Sequence, residues 1–183
     1  MIGAITAGLF GVGVPPVTNS YESIATVTVG SGGSSSISFS SIPSTFNHLQ
    51  VRIMNLQSSA TNFYGQFNSD TSNNYAFHDL FGDGSSAYSQ ATSTTNKFKI
   101  GYANSTTASF SSGAVMDILD YTSTSKNKTV RVLAGSDTNG SGYMLFRSAL
   151  WYKTPEAINT ITIFPDAGNF NQYSSFALYG IKG

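Results

Sequence analysis

The chain alternates between short runs rich in β-branched and aromatic residues and clusters of Gly, Asn, Asp and Ser, and this cycle continues from Tyr21 onward. Regularly spaced short strands and turns are typical of an all-β sandwich or barrel. Apolar and polar residues alternate within the runs, as at Leu49, Val51 and Ile53, so each strand has one buried face and one polar face. No span of twelve or more residues has the period of a capped amphipathic helix. We therefore predict an all-β fold, an antiparallel jelly-roll-like β-sandwich with little helix.

Eleven segments carry the strand pattern, and the last of them should be a paired strand of the sheet. They are 24–29, 36–42, 48–56, 63–67, 75–81, 97–102, 114–121, 129–134, 143–152, 158–164 and 174–181. Gly32–Gly33 and Asp83–Gly84 are hairpin candidates, because these residues tolerate positive φ. Val115 and Ile118 are three positions apart, so on a regular strand they point to opposite faces, and which of the two is buried stays open. The predicted core consists of Leu49, Val51, Ile53, Val115, Ile118, Val130, Val132, Ile161, Ile163, Phe176 and Leu178.

Charged residues are scarce, since Asp, Glu, Lys and Arg make up 10% of the 183 residues, against about 25% in an average soluble protein. The formal net charge is zero and no basic run occurs, which argues against a nucleic-acid partner. Cysteine is absent, so the chain offers no disulfide, thiolate nucleophile or cysteine-based zinc site. A lightly charged surface suits a protein packed permanently against its neighbours. At this length we predict one β-sandwich domain over residues 21–183.

Residues 1–20 contain no charged side chain and form the most unusual stretch of the sequence. A secretory signal needs a positively charged start, and a transmembrane helix needs about 20 apolar residues, whereas Pro15 and Pro16 interrupt this segment. Its glycines disfavour a helix, so we predict an extended arm, ordered by a partner chain or symmetry mate and not by a membrane. A strand that closes the protein's own core is the alternative. The residues predicted to bind the partner are Ile2, Ile5, Leu9, Phe10, Val12 and Val14.

Residues with catalytic or metal-binding chemistry are few and form no recognisable motif. His78 and Asp79 are neighbours on a predicted strand and point to opposite faces, so no acid–base pair is expected. Asp117 and Asp120 are three positions apart, which on a strand also places them on opposite faces, so the paired carboxylates of a glycosidase are not indicated. We expect them to make turn and cross-strand hydrogen bonds. The segment 68–74 offers oxygen ligands without the spacing of a calcium-binding loop, so a solvated turn is expected. The sequence predicts no cofactor, no metal and no enzyme activity.

Aromatic residues raise the alternative of a sugar-binding groove, because rings stack on the apolar faces of sugars. Aromatic side chains in sandwiches more often fill the core or a protein interface. Glycan binding is therefore retained as an alternative function only. The residues concerned are Tyr64, Tyr75, Tyr88, Trp151, Tyr152 and Tyr173.

Several segments follow one another in a characteristic order. They are YESIATVTV (21–29), SIPSTFNHLQVRI (41–53), FNSDTSNNYAFHDLFGDGSS (67–86), MDILDYTSTSKNKTVRVLAG (116–135) and YSSFALYGIKG (173–183). This order resembles a group of small virion-associated proteins of tailed bacteriophages, frequent among marine and cyanobacterial phages. The closing FALYGIKG and the NHLQVRI strand are its most specific parts. The resemblance implies a structural role in the particle, as a capsid decoration or cement protein or a tail-appendage component, and implies no catalytic or binding residues.

The leading hypothesis is a capsid decoration protein that binds the major capsid protein through its arm and one face of the sandwich. We expect a homo-oligomer, with a trimer favoured at local symmetry axes, on the surface of a phage particle assembled in the host cytoplasm. A tail adaptor or fibre-base component with the same fold is the first alternative. A receptor- or glycan-binding module of the virion is the second.

Overall fold

The computed structural model describes residues 20–58, 60–103, 110–153 and 155–182, and the regular elements in these ranges are all β-strands. The prediction of an all-β fold is confirmed, whereas the proposed arm lies outside the described residues. The strands are β1 (Tyr21–Thr28), β2 (Ile37–Phe39), β3 (His48–Leu56), β4 (Asn62–Phe67), β5 (Tyr75–Gly82), β6 (Ala87–Thr95), β7 (Phe98–Tyr102), β8 (Ser112–Ile118), β9 (Lys128–Asp137), β10 (Gly142–Trp151), β11 (Ile161–Pro165) and β12 (Ser175–Ile181).

These strands form two antiparallel sheets. The large sheet has eight strands in the order β1-β12-β3-β8-β9-β10-β5-β6, and the small sheet has four in the order β2-β11-β4-β7. Apolar side chains from both sheets meet in one core, so one face of the large sheet packs on the small sheet. The predicted antiparallel sandwich is therefore observed. Its jelly-roll connectivity stays a prediction.

The core is close to the predicted one. All of the predicted core residues are buried except Val115, which is 37% exposed, whereas Ile118 is fully buried. The two residues are three apart on β8, so strand alternation sends them to opposite faces. Aromatic rings join the two sheets, and the centroids of the Phe67 ring on β4 and the Trp151 ring on β10 lie 5.6 Å apart. The inner face of the large sheet is thus packed, and the face that carries Val115 is exposed.

Two sequence-based expectations about turns and strands are wrong. Gly32–Gly33 does not close a hairpin, because β1 and β2 on either side of it belong to different sheets. Strand β6 was not among the predicted strands, because most of its side chains are polar and exposed and so give no apolar alternation. The Asp83–Gly84 hairpin is confirmed and joins β5 to β6, with the Asp83 carboxylate accepting hydrogen bonds from two turn amides.

The C-terminal strand is an internal member of the large sheet, as predicted. β12 pairs with β1 on one side and with β3 on the other. Leu178 pairs with Val51 and is fully buried, as is Phe176. The chain end therefore closes the gap between the first strand and the centre of the sheet.

Candidate interaction surface

The outer face of the large sheet carries a row of exposed apolar side chains. Strand alternation directs every second residue of β8, β9, β10 and β5 away from the small sheet. Leu133 on β9 pairs with Val115 on one side and with Phe146 on the other. Phe146 in turn pairs with Leu80 on β5. These four residues, termed the ridge, are between 37% and 54% exposed and lie side by side across four strands.

A second row, termed the trough, runs beside the ridge and consists mainly of glycine. Gly135 pairs with Gly113 on β8 and with Met144 on β10. Met144 pairs with Gly82 on β5. Each trough residue lies two positions from a ridge residue on the same strand, so both rows point outward. Three of its four positions have no side chain, and Met144, which is 56% exposed, stands alone in this depression.

Open grooves flank Met144 because its neighbours are glycines. One groove of about 620 Å³ lies between β10, the 83–84 turn and the 140–141 turn. Another of about 860 Å³ lies over β3, β8 and β9. A Cβ atom added at Gly82 or Gly113 would meet nothing nearer than 3.7 Å or 3.5 Å, whereas one at Gly135 would lie 2.9 Å from a main-chain oxygen. Packing within the chain therefore requires glycine at position 135 only, and the other two glycines leave the surface open outward.

Charged and polar groups border the apolar rows. Arg52 closes one end of the ridge on β3, and its guanidinium carbon lies 5.1 Å from the ring centre of Tyr179 and 5.6 Å from that of Tyr21. The next row beyond the ridge is polar and contains the cross-strand partners Asp117 and Arg131. An apolar centre with a polar rim is the arrangement of a protein interface.

A buried ion pair behind the ridge fixes β10 against β5. Arg147 and Asp79 are cross-strand partners that point inward, and their fully buried side chains make two guanidinium–carboxylate hydrogen bonds. Arg147 also donates to the main-chain oxygen of Lys99 on β7, which belongs to the small sheet. Gln90 on β6 donates to the Asp79 carboxylate at 2.6 Å. These contacts hold the two strands that carry Phe146 and Leu80 in register.

The fold keeps the residues considered for catalysis apart from one another. His78 is exposed on the outer face, whereas Asp79 is buried between the sheets. Asp117 accepts a cross-strand hydrogen bond from Gln50 at 2.8 Å. Asp120 lies in the turn after β8 with a φ of 46°. Neither the histidine–aspartate neighbours nor the two later carboxylates converge on one cleft.

The segment 68–74 is a turn whose residues are mostly exposed, as expected, but Asp70 within it is only 7% exposed. Its carboxylate accepts hydrogen bonds from the Trp151 indole at 2.7 Å, from Asn74 at 2.9 Å and from the Ser72 amide at 3.0 Å. Burial by itself would raise the pKa of Asp70, but these hydrogen bonds outweigh it and hold that pKa below its ordinary value. The carboxylate thus joins this loop to β10.

The aromatic residues considered for glycan binding lie in separate parts of the fold. Tyr75 and Trp151 are buried in the core. Tyr64 lies on β4 of the small sheet, and Tyr88 lies on β6 at the edge of the large sheet. Tyr173 is 69% exposed in the loop before β12. Tyr152 follows β10 and donates a hydrogen bond to the main-chain oxygen of Asn73 at 2.6 Å. No single groove brings these six side chains together.

Metal-binding and membrane-spanning features are absent from the part of the chain that the structure describes. Within it, no cluster of three or more His, Asp or Glu side chains could hold a metal ion. Nor do the described residues include a helix of the length and apolarity needed to cross a membrane. The residues predicted to bind a partner lie outside the described residues and are Ile2, Ile5, Leu9, Phe10, Val12 and Val14.

Sequence reasoning missed the ridge and the trough, although one signal pointed toward them. Gly82, Gly113 and Gly135 each occur within or beside an apolar strand pattern, and a glycine inside a strand often marks the close approach of another group. Their alignment depends on pairing between strands that are distant in sequence. The resulting surface can exclude water from an apolar contact and has no nucleophile among its ridge and trough residues. No protein-family model, curated protein or solved structure matches the chain.

Proposed function

We propose that this protein is a non-enzymatic structural component of a tailed-bacteriophage particle, a capsid decoration or cement protein that binds the major capsid protein. The observation that carries the proposal is the outer face of the large sheet, where the ridge and Met144 expose apolar side chains in one contiguous patch. Monomeric soluble proteins rarely expose contiguous apolar patches of more than a few hundred Å², and larger ones mark interaction sites. The protein would work by burying surface. The sequence resemblance supplies the viral setting.

Two contacts share this work in the proposal. The uncharged arm of residues 1–20 binds the capsid, since an apolar segment rich in glycine gains order by adding main-chain and side-chain contacts to a partner. The outer face of the large sheet provides the second, preformed surface, for a contact with another protein of the particle. Few charges on the chain permit close packing of many copies on one particle.

The number of copies per particle tests the location. A decoration protein should be present on the order of hundreds of copies, whereas a tail adaptor or fibre-base component should be present as a small symmetric ring. Quantitative mass spectrometry of purified particles, with the major capsid protein as internal standard, gives this number. A ring-sized copy number would move the protein to the tail, and its absence from particles would overturn the proposal. Binding to host polysaccharide would favour the receptor-binding alternative.

Deletion of residues 1–17 tests the arm. The truncated chain should fold, because the described sandwich begins at β1, and it should fail to enter particles. Lys126→Ala, which changes an exposed loop residue, is the matched control and should enter particles normally. Normal incorporation of the truncated chain would show that the arm is not the anchor.

A further inference from the structure

Ridge and trough residues alternate on each of four neighbouring strands. Val115 and Gly113 share β8, Leu133 and Gly135 share β9, Phe146 and Met144 share β10, and Leu80 and Gly82 share β5. The two rows run parallel at the spacing of two residues along a strand, about 7 Å. A raised apolar row thus lies beside a lowered row of similar length. Such a surface is complementary in shape to itself.

We propose that the outer face of the large sheet binds a second copy of this chain through a two-fold axis. The axis lies in the plane of the face, parallel to both rows and midway between them. A half-turn about it places the ridge of each copy over the trough of the other, as an isologous contact requires. Leu133 then lies over Gly135 of the second copy, and Phe146 meets Met144 of the second copy.

The columns nearest the centre of the patch fit best. Facing sheets cross at about 30° because each sheet is twisted. The ridge and trough residues of β9 and β10 therefore stay aligned with those of the second copy, whereas the residues on the outer strands diverge. At the centre, Leu133 enters a glycine position, and the flexible thioether of Met144 adapts to the Phe146 ring. Packing within the chain does not require glycine at positions 82 and 113, because a Cβ atom would have room there. These two open positions accept the outer ridge residues of the second copy.

Charge complementarity supports the same axis. Arg131 and Asp137 lie on β9 on the same outer face as Leu133 and Gly135, one beyond the ridge and the other beyond the trough. Both are exposed. The half-turn that seats the ridge in the trough also places Arg131 over Asp137 of the second copy. Symmetry forms this pair twice, and no like charges on β9 are brought together.

The size of the face indicates a reversible dimer. Five strands about 4.8 Å apart and about eight residues of 3.3 Å along each strand give a footprint on the order of 600 Å² per copy. Stable interfaces bury about 800 Å² per partner. Dimerisation should therefore depend on concentration. This inference deepens the proposed function: the outer face is buried between two copies of the protein, and the arm makes the contact with the capsid.

Analytical ultracentrifugation of the full chain across about two decades of concentration tests the dimer. We expect a monomer–dimer equilibrium. Arg131→Glu and Asp137→Lys should each raise the dissociation constant about tenfold or more, and the double variant should restore it, because the reversed charges face each other again. Lys126→Glu, an exposed charge reversal in the loop before β9 and outside the ridge and the trough, should have no effect. A monomer or trimer at all concentrations, or no restoration in the double variant, would overturn the proposal.

A second pair of variants separates the contact from folding. Gly113→Gln fills the trough where a Cβ atom has room, so the monomer should keep its melting temperature while the dimer is lost. Gly30→Gln, where a Cβ atom meets nothing within 4 Å, is the matched control and should keep the dimer. Incorporation into particles is measured separately. If the protein dimerises in solution but never enters particles, only the proposed function is refuted. If it enters particles but Gly113→Gln leaves its monomer–dimer equilibrium unchanged, only the two-fold contact is refuted.

Discussion

Arg147 and Asp79 pair across β10 and β5 with no solvent exposure, directly behind the exposed ridge residues of the same two strands. A buried charge that loses its partner is strongly destabilising, because its desolvation is no longer compensated. The same two strands thus carry a polar contact between the sheets on one face and an apolar row on the other. The inner contact keeps the outer row aligned.

Removal of one partner of the buried pair should strongly lower the free energy of unfolding. Asp79→Ala leaves the Arg147 guanidinium buried without a carboxylate, and we expect a loss of about 3–5 kcal/mol in the free energy of unfolding. Glu22→Ala removes the carboxylate of an exposed pair with Lys182 and should cost less than about 1 kcal/mol. Urea unfolding of both variants compares the two costs. Equal losses would show that the buried pair does not stabilise the sandwich.

The C-terminal strand should be essential for folding. Deletion of residues 175–183 removes β12 from between β1 and β3 and takes away the buried side chains of Phe176 and Leu178. The expected loss of several kcal/mol approaches the whole stability of a domain. Thermal unfolding followed by circular dichroism should therefore show no cooperative transition. Deletion of residues 182–183 alone is the control, and a truncated chain that melts near the wild-type temperature would contradict the prediction.

Much of the fold could be predicted because its strands carry a clear two-residue period. β3 has apolar Leu49, Val51 and Ile53 on one face, and its predicted bounds agree with the structure. β6 lacks this signal, since its pairing depends on main-chain hydrogen bonds to β5 and on the turn at Asp83. A strand that buries little cannot be recognised from hydrophobic alternation.

The interaction surface could not be predicted because some strands are apolar on both faces. On β10, Phe146 points outward and Leu145 inward, while Arg147 also points inward. Hydrophobicity alone would place Phe146 in the core and Arg147 at the surface. The choice is made by Asp79 on the neighbouring strand, which supplies the inward arginine with a partner. Such a choice depends on register between strands and not on local sequence.

Two glycines are required by aromatic rings packed against them. A Cβ atom at Gly65 would lie 2.4 Å from the Phe98 ring, and one at Gly180 would lie 2.3 Å from the Phe46 ring. Gly65→Ala and Gly180→Ala should each lower the free energy of unfolding by about 1–3 kcal/mol, because the rings must move within a packed core. Gly30→Ala has free space around the new methyl group and should have little effect. Urea unfolding checks all three variants.

Acid should weaken the attachment of the 68–74 loop to the core. Hydrogen bonds hold the pKa of Asp70 below its ordinary value in the folded protein despite its burial. Its ionised form therefore adds stability above the unfolded-state pKa, and this contribution disappears as the pH falls through the folded-state pKa. Trp151 is the only tryptophan and donates to this carboxylate, so its fluorescence can follow the loss. Asp70→Asn should show a smaller loss of stability in acid, and an unchanged loss would contradict the assignment.

Alkaline pH should stabilise the protein through Lys99. Its ammonium lies 3.4 Å from the ring centre of Tyr102, and burial, with the nearby charge of Arg147, lowers the pKa of Lys99 to about 8. The ordinary lysine pKa is about 10.4, so between these values the unfolded chain binds more protons than the folded one. The free energy of unfolding should therefore rise with pH across this window.

Lys99→Met tests this dependence because it keeps the buried aliphatic stem and removes the titrating group. The variant should be more stable than the wild type at neutral pH and should lack the Lys99 contribution to the rise between about pH 8 and about pH 10. Lys126→Met removes an ammonium whose side chain is 70% exposed and is the matched control for the loss of a lysine charge. Urea unfolding at several pH values gives the three slopes. Parallel curves for the wild type and Lys99→Met would show that the folded protein does not disfavour the charged form of this lysine.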